Sequence, residues 1–231
     1  MPILKTEDNK QYIVLVKRSD DAKTNPGSHS GFFGWADSDE ESLDPEVIAH
    51  RELLEELFII SKDGNKAFNL IFKKNTDSKY KIKKPKNYTQ NLIKAWRKEK
   101  GIEIKDEIKI QSVIREEDFK SFDFIDLNGK TKVYILKFNL PLDTNDICIF
   151  DGEAKKEFTE PPEDLLDREI DVFNLDEFKN WWCENSKGSL NAEISFKTGK
   201  QKIIKGFIDR KNKNKISPTL LIILNKWLGG C

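Results

Sequence analysis

The stretch that most restricts the fold runs from Asp44 to Glu56. Asp44 is a good helix N-cap, Pro45 suits the first helical position, where a missing N–H costs nothing, and Glu46 suits the positive end of the helix dipole. The predicted helix reaches about Leu57, with Phe58-Ile59-Ile60 entering a turn or strand. At about 100° per residue, Glu52, Glu55 and Glu56 fall within an arc of roughly 100°. Val47, His50, Leu53, Leu54, Leu57 and Phe58 fall on the other side and are expected to face a core. Carboxylates along one stripe repel by a few tenths of a kcal/mol per i,i+4 pair. A hard divalent cation such as Mg²⁺ or Mn²⁺ removes that repulsion and prefers carboxylate oxygens. A solvated helix face can have the same composition, so the surroundings have to decide.

Those surroundings are mixed. Tyr12 to Val16 reads as a strand ending in Lys17-Arg18, and residues 19 to 43 form a long Ser-, Gly-, Asp- and Asn-rich loop. Further strands are expected at 68–72, 108–114, 132–138 and 146–150, with an Asn128-Gly129 hairpin turn. Helices are expected at 88–100, ending at Gly101, and around 175–184. Two possible strands near 191–209 and an amphipathic segment from Pro218 to Leu228 complete the chain. The class is α/β or α+β, with no clean linker. The expected domain spans 1–184 with a basic insertion at about 62–107, and 185–231 form an extension packed on it.

Composition removes several alternatives. With 231 residues, the chain can bury one substantial core. No run approaches the roughly 18–20 apolar residues of a membrane span, and no secretory signal is apparent. Cys148, Cys183 and Cys231 are odd in number and widely spaced, and only His29 and His50 are available. This argues against a disulfide framework and a zinc site, and a cytoplasmic setting is expected.

The segment around the acidic helix resembles the signature of the Nudix hydrolases: a Gly, five residues, a Glu, seven residues, then R-E-U-x-E-E-x-G-U, with U a bulky aliphatic. Gly34 is followed by five residues and Glu40, Arg51-Glu52-Leu53-Leu54-Glu55-Glu56 matches the core, and Ile59 takes the final aliphatic place. The strand YIVLVKR and the phrase SGFFG also resemble what precedes that box. There are two departures. Three extra residues lie between Glu40 and Arg51, where a loop absorbs them and where Glu41 is an alternative occupant. Phe58 stands in place of the helix-ending Gly.

The resemblance implies a Nudix-type α/β/α sandwich that hydrolyses a diphosphate linkage in a nucleoside diphosphate derivative. It implies that Glu52, Glu55 and Glu56 hold Mg²⁺ or Mn²⁺ and that Arg51 pairs with Glu40 or Glu41 to orient them. The base is a box glutamate, Glu55 or Glu56, or one from a later loop, for which Glu153 in Asp151-Gly152-Glu153 is the candidate. Lys17 or Arg18 could meet substrate phosphates, with alternation placing only one of them on the site face. Gly34 and Trp35 belong to the substrate-binding loop, where Phe32, Phe33 or Trp35 could stack on a base or pack into the core.

Between Lys62 and Lys100 there are 13 Lys/Arg and three Asp/Glu, interleaved with Phe68, Phe72, Tyr80, Tyr88 and Trp96. Such a mixture suits single-stranded nucleic acid and keeps an RNA 5′-end hydrolase open as an alternative. A solvated Lys-rich segment with buried aromatics is the stronger explanation, and a small nucleotide benefits from the same positive field. The rival of another class is a non-catalytic Nudix-like module that senses a nucleotide or binds a partner.

Overall fold

The computed structural model describes residues 1–20, 26–36, 44–72, 93–94, 97–98, 101–103, 107–126, 129–151, 169–185, 195–198 and 212–229. They form a mixed α/β structure with two sheets and three helices.

The larger sheet is built around β1 (Pro2–Lys5), β2 (Gln11–Lys17) and β8 (Gly129–Asn139). β1 runs antiparallel to β2 and parallel to β8, which pairs antiparallel with β7 (Lys120–Asp126). On the other flank, β2 pairs with β3 (Ser28–Ser30), which takes β12 (Asn212–Ile216) in parallel, and β11 (Ser195–Thr198) closes that side. β10 (Glu169–Asn174) pairs along β2 from Lys17 to Tyr12. The smaller sheet has the order β6 (Lys109–Ile114), β5 (Lys66–Ile71), β4 (Leu57–Ser61), β9 (Ile147–Asp151).

Alternation on β2 sorts the layers. Tyr12, Val14 and Val16 enter one core with Leu53 and Leu57, with Ile59 and Ile147, and with Phe68, Leu70 and Phe72. The expected acidic helix, α1 (Pro45–Glu56), and the smaller sheet therefore cover this face. Ile13 and Leu15 enter a second core with Phe178 and Trp182 of α2 (Leu175–Asn185) and with Leu220, Ile223 and Leu224 of α3 (Pro218–Leu228). Helix α3 belongs to the segment read as an extension, and its apolar face completes the second core. Ser217 caps it by accepting from the Leu220 N–H, with Pro218 next in line.

The β1–β2 turn is fastened to the 3₁₀ turn Thr144–Asp146. The Asp8 carboxylate accepts from the Thr144 hydroxyl at 2.9 Å and from the Thr6 hydroxyl, and it pairs with Lys10 at 2.8 Å. Burial alone raises the Asp8 pKa, but Lys10 and the two hydroxyls outweigh it and hold the carboxyl far below the usual range.

The basic segment contributes to the fold as far as it is described. Phe68 and Phe72 are core residues, although they were candidates for base stacking. Residues 93–94 and 97–98 are helical, and Ile93 packs with Phe58, Ile60 and Ile108 on the outer face of the smaller sheet. Arg97 is buried and donates to the Glu103 carbonyl at 3.2 Å. Gly101 has φ +66 and closes this segment as expected, its N–H bonded to the Lys98 carbonyl. Tyr80, Tyr88 and Trp96 lie outside the described residues.

Two expectations are corrected here. Cys183 in α2 is disulfide-bonded, against the expectation from an odd count and wide spacing, and Cys148 carries a free thiol. Strands β1, β3, β7, β10 and β12 also appear where none was expected, β3 within the stretch read as a loop.

No described helix is long and apolar enough to cross a membrane.

Candidate functional site

Helix α1 starts as the sequence predicts: the Asp44 side chain accepts from the Glu46 N–H at 3.2 Å. Its end explains Phe58. The cap residue Leu57 is already extended (φ −106, ψ 119), and the chain passes from the last helical residue straight into β4. No left-handed cap is formed, so no glycine is needed. Phe58 becomes a sheet residue buried in the third apolar cluster.

The same junction corrects the expected helix faces. The buried residues of α1 are His50, Leu53 and Glu56, so Glu56 lies on the covered side, while Leu54 stays half-buried. The helix packs against β4, which begins at Leu57, and against β5, an effect of the tertiary structure that a helix projection does not contain. His50 packs its ring 5.1 Å from that of Phe72.

Glu52 and Glu55 remain partly accessible, and Arg51 joins them. Its Nη1 lies 2.8 Å from Glu52 Oε1 and 3.5 Å from Glu55 Oε2, and its Nη2 donates to the Trp35 carbonyl at 2.6 Å. One guanidinium thus bridges two carboxylates of the stripe, offsetting part of their charge, and ties them to the loop in front of the helix. Glu40 and Glu41, the expected partners of Arg51, lie outside the described residues, as does Glu153.

Gly34 sits directly beneath Glu52. A Cβ at Gly34 would stand 1.9 Å from both Cγ and Cδ of Glu52 and 2.2 Å from its Oε1. Only a residue without a side chain lets the loop and this glutamate take their present positions together. Trp35, next in the chain, is 71% exposed and free to meet a ligand.

Register separates the two basic candidates. Lys17 pairs with Glu169 and His29 and shares the face of Leu15 and Ile13, away from α1. Arg18 follows the strand and by alternation lies on the side of Val16, which is the side of α1.

Two features have no precedent in the sequence reading. His29 and Asp171 form a buried pair on the Lys17 face, with Nε2 and Oδ2 2.6 Å apart. Close to α1, a small cavity of about 50 Å³ opens among Phe32, Phe33, Leu53, Phe72, Lys132 and Tyr134. Residues from a loop, a helix and two strands meet there. Phe32, Phe33 and Leu53 carried a sequence signal through the motif, and Phe72 only as an aromatic of the basic segment.

Carboxylate oxygens are suitable donors for a hard cation, and those of Glu52 and Glu55 already converge on one positive nitrogen. Among the described residues, no group of three His, Cys, Asp or Glu side chains is placed to hold a metal ion.

In comparison with known proteins, no family model, no curated protein and no solved structure matches the chain.

Proposed function

We propose that the chain is a Nudix-type hydrolase that cleaves a diphosphate linkage in a nucleoside diphosphate derivative, with Mg²⁺ or Mn²⁺ as cofactor. In this reading the two layers flanking the larger sheet are those of an α/β/α sandwich. The observation that carries it is the junction of Gly34, Trp35, Arg51, Glu52 and Glu55, which joins both ends of the motif at one place.

Glu52 and Glu55 would hold the metal, with Glu56 the third carboxylate of the motif. When bound, such an ion neutralises phosphate charge and lowers the pKa of a water nucleophile. Arg51 positions the two accessible carboxylates, and Gly34 admits the Glu52 side chain. Glu55 is the most exposed of the three and is assigned the role of accepting the proton from water. Arg18, on the α1 side, is the basic residue placed to meet a phosphate.

A second reading is favoured by one observation: no three metal-binding side chains converge among the described residues. In it, the same surface binds a nucleotide without hydrolysing it.

The test is product release from ADP-ribose, NADH, dinucleoside polyphosphates, nucleoside triphosphates and 5′-capped RNA, with and without Mg²⁺ or Mn²⁺. Wild type is compared with Glu55→Gln, which avoids the buried Glu56. Metal-dependent turnover lost in the variant supports the hydrolase. Nucleotide binding without turnover, unchanged by the substitution, replaces it with the binding module.

A further inference from the structure

We infer that the aromatic-walled cavity beside α1 receives the base of a 5′-phosphorylated nucleoside and accepts all four bases with little discrimination. This deepens the proposed function, on which the choice of a nucleotide ligand rests.

The cavity and the acidic stripe are neighbours through two continuous pieces of chain. On α1, Leu53 lines the cavity and the adjacent Glu52 belongs to the stripe. In the loop, Phe33 lines the cavity, Gly34 lies under Glu52 and the Trp35 carbonyl holds Arg51. A ligand seated against Phe33 therefore extends naturally toward Arg51 and Glu55.

The walls suit a flat ring. Phe32, Phe33, Phe72 and Tyr134 supply aromatic surface, and the Phe72 and Tyr134 rings are already 6.1 Å apart in a tilted arrangement. Phe33 and Trp35 are two of the four large apolar side chains left exposed among the described residues. Both stand on this loop, where a ligand would cover them. A buried water takes roughly 10–15 Å³ on the same measure, so the space equals about four waters, or about 120 Å³ of liquid volume. That is about the bulk of one base.

The walls also say what is not read. Among the described lining residues, only Lys132 and Tyr134 have polar side chains. Lys132 is held by Asp123 at 3.2 Å, which Lys130 also contacts at 3.5 Å, so its ammonium is turned toward that carboxylate. Hydrogen-bonding pockets reject a wrong ligand by roughly 10⁴–10⁵-fold, whereas apolar ones separate close analogues by only about 10–200-fold. Weak selection among bases, with strong selection for having one, is the consequence.

The experiment is calorimetric titration of wild type and Phe33→Ala with AMP, GMP, CMP, UMP and ribose 5-phosphate. Phe33 is 39% exposed, and an unchanged urea-unfolding midpoint checks that the variant is folded. The expected dissociation constants of the four nucleotides agree within about tenfold, and ribose 5-phosphate binds at least about twentyfold more weakly. Phe33→Ala should weaken the nucleotides by about tenfold or more and leave ribose 5-phosphate unchanged. The inference is overturned if ribose 5-phosphate binds as well as the nucleotides, if one base is preferred by more than about a hundredfold, if the variant binds like wild type, or if nothing binds. Monophosphates contain no diphosphate linkage. Binding in this pattern without turnover on the hydrolysis panel therefore sinks the hydrolase and keeps the pocket. Turnover of base-free diphosphates with equal efficiency does the reverse.

Discussion

Replacing Gly34 by alanine separates the construction of the site from the stability of the fold. The added Cβ would lie 1.9 Å from Glu52 Cγ and Cδ, where ordinary contact begins at 3.4 Å, so the side chain must retreat by about 1.5 Å. The obstructed atoms belong to a flexible side chain, so the backbone need not move. The retreat breaks the 2.8 Å contact with Arg51, whose partly exposed pairing is worth about 0.2–1 kcal/mol. Against this, Gly→Ala stiffens the unfolded chain and returns about 0.4–1 kcal/mol. The net change in urea-unfolding free energy should therefore stay within about 1 kcal/mol of zero. Hydrolysis should respond far more, because displacing a positioning group by about 1 Å costs on the order of a hundredfold. The assay pairs urea unfolding with metal-dependent turnover of the best substrate from the panel. A fully active variant of normal stability would refute the role of Glu52. A loss above about 3 kcal/mol would refute the claim that only a side chain has to move.

Two other expectations concern the fold. Leu224→Ala in α3 should cost about 2–5 kcal/mol, read as a lower urea midpoint, because this side chain is fully buried in the second core; a change below about 0.5 kcal/mol would detach α3 from that core. For Asp8, the carboxyl pKa is depressed in the folded state, so its stabilisation is complete above the unfolded value of about 3.9 and is lost as pH falls through the folded one. Asp8→Asn should therefore flatten the stability profile below about pH 4, and an unchanged acid limb in the variant would show that the turn contributes nothing there.

Local chemistry was readable wherever it acts within a few residues. Asp44-Pro45-Glu46 announces the start of α1, the apolar run at Tyr12 announces β2, and Gly101 marks a helix end, because each acts on backbone groups close by in the chain. The burial of Glu56 was not readable, since it depends on how α1 packs against β4 and β5. β10 was missed for a similar reason. Its Asp171 interrupts an apolar face, and only His29, on the far side of β2, makes that position tolerable. In the candidate site, Arg51, Glu52 and Gly34 could be chosen from the resemblance to the Nudix signature. The cavity could not, because Phe72 and Tyr134 reach it from strands with no sequence relation to the motif.

The direct passage of α1 into β4 has a mechanical consequence. A helix advances its side chains in steps of about 100° per residue, while a strand reverses face at every residue. No single shift satisfies both, so neither element can slide without the other losing its packing. Helix and strand act as gears of incommensurate pitch, locked where they meet. A one-residue insertion at 56–57 would turn the carboxylate stripe away from its loop or turn β4 inside out. The angular setting of the stripe is therefore fixed from downstream.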